Sequence, residues 1–511
     1  MNRIQRHLRM PAFFLCSSVL GLSCISASAR DVRIEHVTIV SAERVTPLKN
    51  ATVLIHGDKI VRISSGSSVG AQHGSRFDLQ IIDGRGLYLV PGLIDSHVHL
   101  SSLAGMTPEQ EKLHPDIARA ARNQVPRSFL FFGFTTLVDL ISTPEAMSRW
   151  NSQAIVPDTY FCGGAALIDG YPMVYVPKPA RYDSWPYMIV ETGDASSLPA
   201  GVEAAAHTPE AVVARMKSDG AICVKTFFER GFGDQRNLPV PRLETTRALV
   251  RAAHAAGLPV LLHANAQEAQ QFGVDSGVDI IAHGLWNWNE DSSTTELTPA
   301  VKAILDRVVS QKMGWQPTIQ VMAGLQNLFD PSFLSDPMLA RALPPSLIEW
   351  YGTKEGQWFH DELVSEIPPA PNGTGKSADT RLHAGYALLV GRVERATRYL
   401  AENHARLLFG TDTPSAPIYS NPPGLNGWFE MQRLIEAGVT PAQIFQAATL
   451  SNAQAFQLDN EIGSVQVGKR ANLLLLRHDP TQTIEAYAGI AKIILRGHVI
   501  EPTELAAIQN K

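Results

Sequence analysis

A chain of 511 residues with 45% hydrophobic and 18% charged side chains is long enough for more than one domain and apolar enough for a large buried core. Its 44 basic and 49 acidic residues leave a net charge of −5 without any basic cluster, which speaks against a nucleic-acid partner. Four cysteines, of which Cys16 and Cys24 fall in the leader described next, exclude a disulfide framework.

In chain order, Arg3, Arg6 and Arg9 precede an apolar run from Pro11 to Leu22 and then Ala27-Ser28-Ala29. This is the order of a secretory signal, too short to span a bilayer as a stable anchor. Residues 1–29 are therefore expected to be removed, giving an exported, periplasmic or secreted protein that no membrane holds. Gly21 stands where a lipid-attachment site at Cys24 usually has Leu, so simple cleavage is the expectation. Cys162 and Cys223 remain; export would permit one bond between them, but each lies in apolar strand-like surroundings and buried free thiols are the expectation.

From Val32 to about Ser65 apolar and polar residues alternate, with a turn at Gly57-Asp58-Lys59, which is hairpin patterning. Short strands return from Gly463 to Leu476 and from Ile490 to Ile500. Residues 30–86 and 459–511 thus predict one small composite β-sandwich made from both ends of the chain. Lys469 beside Gly468 is not a phosphate loop, because no Ser or Thr follows the lysine and no helix opens there.

Between them, residues 87–458 alternate strand and helix. The strand ending in Asp95-Ser96-His97-Val98-His99 is followed by helical segments near 115–130, 144–151, 209–219, 242–256, 266–272, 299–311, 381–403 and 424–437. Strand-like runs separate them, among them 135–140, 159–167 and 313–319. Eight strands with intervening helices predict a (β/α)8 TIM barrel, an α/β fold. Functional side chains in such a barrel sit at the C-terminal ends of the strands. His97 and His99 share one face of strand one, since strand side chains alternate. Lys225 ends strand four, His263 strand five, His283 strand six and Asp412 strand eight. Imidazole nitrogens and carboxylate oxygens suit zinc and its neighbours. His254 and His404 lie outside this pattern and are read as structural.

This ordered set resembles the amidohydrolase superfamily, in its imidazolonepropionase-like and prolidase-like branch, over about Val32 to Ile500. The Gly-x-x-x-x-Gly-Lys-x-Ala-Asn-Leu run from Gly463 resembles the C-terminal signature of that family, with Asn472 where Asp is more usual. The resemblance implies a distorted barrel and two divalent metal ions of the zinc type. It assigns His97, His99 and Asp412 to one metal and His263 and His283 to the other. Lys225 lies between them, carrying a CO2-derived carboxylate, since a free ammonium would repel both cations. It also implies hydrolysis of a C–N amide bond by a metal-bridging hydroxide, with Asp412 as general acid and base.

The expected substrate is dipeptide-like or an N-acyl amino acid. Tyr171, Glu229, Arg230 and Trp286, in loops over the mouth, are its candidate contacts. The long stretch from Gln320 to Thr380 reads as a lid or a subunit contact, and the expected partners are a small-molecule substrate and a second copy of the chain. Two other readings stay open. One is a mononuclear deaminase or cyclic amidase of the same superfamily, with Lys225 unmodified. The other is a non-catalytic descendant that keeps the barrel.

Overall fold

The computed structural model describes residues 31–65, 79–191, 198, 201–233, 235–288, 294–368, 375–415 and 417–508. The expected signal segment lies outside them. The chain opens with β1 (Asp31–Ile39), β2 (Leu48–His56), β3 (Lys59–Ser65), β4 (Leu79–Asp83) and β5 (Tyr88–Pro91). The antiparallel pairing of β1 with β2 and β2 with β3 follows from the hairpin patterning, with the β2–β3 turn at Gly57-Asp58.

The middle of the chain supplies β6 (Leu93–Val98), β7 (Phe134–Asp139), β8 (Asp158–Leu167), β9 (Met188–Ile189), β10 (Cys223–Phe227), β11 (Val260–His263), β12 (Ile280–Ala282), β13 (Gly314–Gln316) and β14 (Arg406–Leu407). Eight of them pair side by side in sequence order, all in parallel, and β9 adds to β8. Intervening helices such as Pro115–Phe131, Leu243–Ala255 and Pro299–Ser310 present apolar faces to this sheet, as βα alternation requires.

The first and last strands meet through Val98, which bridges in parallel to Thr413. Ser96 N–H donates to the Phe409 carbonyl (3.1 Å), Asp412 N–H to His97 (2.8 Å) and His99 N–H to Thr413 (2.8 Å). Gly410 allows this approach, because a Cβ there would stand 2.7 Å from the Cβ of His97. The regular part of the last strand is shorter than the sequence run suggests, yet its extension from Leu408 keeps the ladder bonds.

At the C-terminal end β15 (Leu473–Leu476), β16 (Ile490–Leu495) and β17 (His498–Ile500) join β5 and complete a separate eight-stranded sheet with an apolar cluster of its own. Asn472 and Arg470 tie this sheet to the barrel. Each donates to Asp158 at the start of β8 (2.7 Å), and Arg496 reaches the same carboxylate at 2.9 Å.

Two expectations need correction. Cys162 and Cys223 form a disulfide. They lie opposite each other in the register of β8 and β10, with Cα atoms 4.5 Å apart, inside the bridging range. That register is a relation between strands which apolar flanking residues do not reveal. The strand expected over Met313 to Ile319 stops at Gln316, because Pro317 has no N–H to give and Thr318 turns into the left-handed region (φ 43°). The helix Ile319–Asn327 begins there, so the expected long insertion starts as helix. Further helices follow at Leu339–Ala342, Pro345–Tyr351 and Trp358–Ser365. Tyr351 and Trp358 donate to the carbonyls of Ala104 and Gly105, docking this segment on the loop after β6.

Thr318 gives the helix Ile319–Asn327 no side-chain cap, and Glu430 of the helix Leu425–Glu436 supplies one by accepting from Ile319 N (3.1 Å) and Gln320 N (2.7 Å). Burial pushes the Glu430 carboxyl up to about 8, against the pull of those two bonds. A raised folded-state value means that its contribution is full below the ordinary value of 4.5 and is lost as pH rises through 8. Glu430→Gln should therefore gain thermal midpoint relative to wild type as pH rises from about 5 to about 8, by the equivalent of on the order of 1 kcal/mol. A difference between the two proteins that is constant over that range contradicts the assignment.

Candidate metal centre

His97 lies on β6, His99 just beyond it, and Asp412 follows β14 across the seam. His97 Nε2 and His99 Nε2 each lie 2.9 Å from Asp412 Oδ1. The three donor atoms lie within 4.8 Å of one another, a grouping able to hold a metal ion. His97 Nε2 is buried and makes no hydrogen bond of acceptable angle in spite of that short distance. Such an orphaned lone pair beside a carboxylate fits a ligand set rather than an ion pair.

The tautomer of His97 follows from its neighbours. Gln316, the last residue of β13, donates through Nε2 to the Ser96 carbonyl (3.1 Å) and hydroxyl (2.8 Å), so its Oε1 is an acceptor. His97 Nδ1 donates to that oxygen at 3.1 Å, which leaves Nε2 free to coordinate. The hydroxyl of Ser96 is anchored in turn on the Phe409 carbonyl and on Asn452. Beneath, buried Asp95 accepts from the amides of His97 and Thr411 and from the Thr411 hydroxyl.

The remaining two histidines continue from this group. Ring centroids of His97 and His283 lie 4.8 Å apart, and those of His283 and His263 4.4 Å apart. His263 Nε2 donates to Glu229 Oε2 (3.2 Å), an oxygen that also accepts from Asn265 (2.6 Å), leaving Nδ1 unspoken for. His283 Nδ1 pairs with the Thr318 hydroxyl at 3.2 Å, which leaves Nε2. His283 (φ 80°), Thr318 (φ 43°) and Asp412 (φ 58°) all hold left-handed backbone, at a cost of roughly 1–3 kcal/mol each that the surrounding packing must sustain.

Burial drives His97, His263 and His283 toward the neutral, metal-ready form. It lowers His97 to about 3, helped by Lys225, lowers His263, and takes His283 well below its ordinary value. Asp412 is also buried, which works against its charge, but His97 and His283 outweigh this and hold it well below the usual carboxylate range. Lys225 is 1% exposed on β10, and its Nζ makes no hydrogen bond. Burial brings its ammonium down to about 7.

The candidate substrate contacts divide. The Tyr171 ring lies 4.7 Å from that of His263, and Trp286 lies 5.7 Å from His283. Glu229 is buried against His263. Arg230 is exposed and bound to Glu268 at 2.7 Å, away from the imidazoles. His254 pairs with Asp279 on the surface and His404 lies in the turn after the helix Ala378–Glu402, neither joining the group. Gln316, Thr318 and Asn265 belong to the centre and carry no motif. Their one sequence signal is a polar side chain at, or two residues past, the end of an apolar barrel strand. Among the described residues no helix is long and apolar enough to cross a membrane.

Residues 383–500 match the family model described as the amidohydrolase family. A dihydroorotase of Streptococcus thermophilus is 35% identical over 98 residues, and that match spans 19% of this chain and 19% of the relative's length. Among solved structures, a Xaa-Pro dipeptidase with methionine in its active site superposes with a TM-score of 0.60 at 18% identity, covering 92% of this chain and 100% of the other. Ochratoxinase from A. niger gives a TM-score of 0.61 at 18% identity, covering 93% and 96%. Residues 383–500 thus resemble the amidohydrolase family, and the superposed structures share the barrel fold of this chain.

Proposed function

We propose that the chain is an exported, metal-dependent hydrolase of the prolidase-like branch, with residues 87–458 as its catalytic domain, cleaving a C–N amide bond in a dipeptide-like or N-acyl amino acid substrate. The observation that carries this reading is the convergence of His97 Nε2, His99 Nε2 and Asp412 Oδ1. In it, those three residues hold one divalent ion of the zinc type, and His263 and His283 hold a second. Bound there, such ions supply Lewis acidity toward the scissile carbonyl and acidify the water that attacks it.

Lys225 completes the set. A buried ammonium without a partner costs several kcal/mol, and burial leaves a large share of this amine unprotonated near neutrality. The neutral nitrogen adds to CO2 and releases a proton, which gives an anionic carboxylate where two cations need one. Asp412 takes the proton of the attacking water and delivers it to the departing nitrogen. Tyr171, Glu229 and Trp286 line the substrate side, and Arg230 remains a surface residue paired with Glu268. The structure of a Xaa-Pro dipeptidase shares this fold, and the dipeptide-like substrate is taken from that protein's name. A second reading, a cyclic amidase with a single ion and unmodified Lys225, draws from the dihydroorotase match its reaction class alone.

Elemental analysis of zinc-loaded protein should find two ions per chain, with Lys225→Ala retaining at most one. A single tightly held ion, and activity indifferent to bicarbonate, favours the cyclic amidase. In a screen of dipeptides and N-acyl amino acids, Asp412→Asn should keep bound metal and lose roughly 10²- to 10⁴-fold in turnover. Wild-type activity retained by that variant, or no turnover of any amide by the loaded wild type, contradicts the proposal. Gln316→Leu should weaken metal affinity by about 10- to 100-fold in a competitive chelator titration while leaving the fold intact by circular dichroism. Unchanged affinity removes Gln316 from the support of His97.

A further inference from the structure

The two loops that rise beside His263 leave aromatic rings in water. Tyr175, in the short turn Met173–Tyr175 after β8, is 56% exposed, and Phe232, after β10, is 42% exposed. Among the described residues these are the only Phe, Tyr or Trp side chains classed as exposed. Both touch the same third ring. Tyr171 lies 6.1 Å from Tyr175 and 5.8 Å from Phe232, nearly perpendicular to each (89° and 79°). Behind it Phe227 stands at 5.9 Å, and its other neighbour is His263 at 4.7 Å.

A purely structural cluster of this kind folds its apolar side chains inward, as Met173 and Phe227 do beside these rings at 2% and 4% exposure. Here the sequence of rings runs outward instead, from an imidazole of the metal centre through Tyr171 to two rings facing solvent. Such a wall offers both ring faces and ring edges, the two arrangements that an incoming aromatic group favours. Several charged side chains of the two loops are already engaged. Lys178 and Arg181 pair with Asp169, Arg230 pairs with Glu268, and the Glu229 carboxylate accepts from His263, Asn265 and the Gly231 amide. Nothing in those pairs favours an anionic group over a neutral ring.

We infer that Tyr171, Tyr175 and Phe232 form a subsite for an uncharged aromatic ring carried by the substrate next to its scissile amide. The inference rests on the hydrolase reading above and narrows its substrate to aromatic dipeptides and aromatic N-acyl amino acids.

The test compares dipeptides containing phenylalanine with their cyclohexylalanine counterparts, which keep the ring's size and lose its π face. Wild type and the Tyr175→Ala/Phe232→Ala double variant are both metal-loaded and checked for equal metal content. In wild type kcat/KM should favour phenylalanine by at least roughly fivefold, the double variant should bring that ratio close to one, and Tyr175→Phe should preserve it. Binding of benzyl alcohol, read against cyclohexylmethanol by saturation-transfer NMR, gives a second readout that needs no turnover. Where no dipeptide is cleaved but benzyl alcohol binds wild type and not the double variant, the hydrolase reading fails and the subsite stands. A wild-type ratio near one overturns the subsite, as does equal benzyl alcohol binding by both proteins where no dipeptide is cleaved.

Discussion

The barrel seam is the constraint on which the rest of the molecule depends. The first and last strands are joined by bonds from Asp412 to His97 and from His99 to Thr413, so the residues that close the sheet are those that carry the donor atoms. Closing the barrel and assembling the centre are therefore one event. Gly410 permits the close approach, and Asp95, tied to both His97 and Thr411, fastens the two strands below the donors. A metal bound here would bridge the seam and stabilise the folded chain by mass action.

Around that seam the fold spends stability on polarity. Buried imidazoles are kept neutral, and each has its non-coordinating nitrogen or its backbone fixed by a neighbour: Gln316 for His97, Glu229 for His263 and Thr318 for His283. Thr318 belongs to two tasks at once, since it orients His283 and also begins the helix that Glu430 caps. His283, Thr318 and Asp412 also hold left-handed backbone, as do seven other non-glycine residues elsewhere among those described. Strain of this kind persists only where neighbouring packing overdetermines the chain.

Much of the architecture is legible in the sequence because it rests on local periodicity. Strand and helix alternate with their own repeats, and helix starts such as Thr143-Pro144, Thr208-Pro209 and Thr298-Pro299 announce themselves by a capping threonine followed by proline. The strand-end positions of His97, His99, Lys225, His263, His283 and Asp412 follow from the same patterning. What stays hidden depends on register between strands far apart in the chain. The Cys162–Cys223 bond needs the offset of β8 against β10, and the role of Gln316 needs β13 laid beside the first strand across the barrel interior. The direction of a long side chain is equally illegible: Arg230 follows Glu229 directly, yet one turns to Glu268 on the surface and the other to His263.

The central claim is that His97, His99 and Asp412 face a common cation, with His263 and His283 facing another beside it. Anomalous diffraction at the zinc edge, from crystals grown with zinc, measures this directly. The account predicts two peaks, one about 2.0–2.1 Å from both His97 Nε2 and His99 Nε2, and the other at the same distance from nitrogens of His263 and His283, with density joining Lys225 to both. Anomalous density only at surface histidines such as His254, with the buried imidazoles unoccupied, would contradict it.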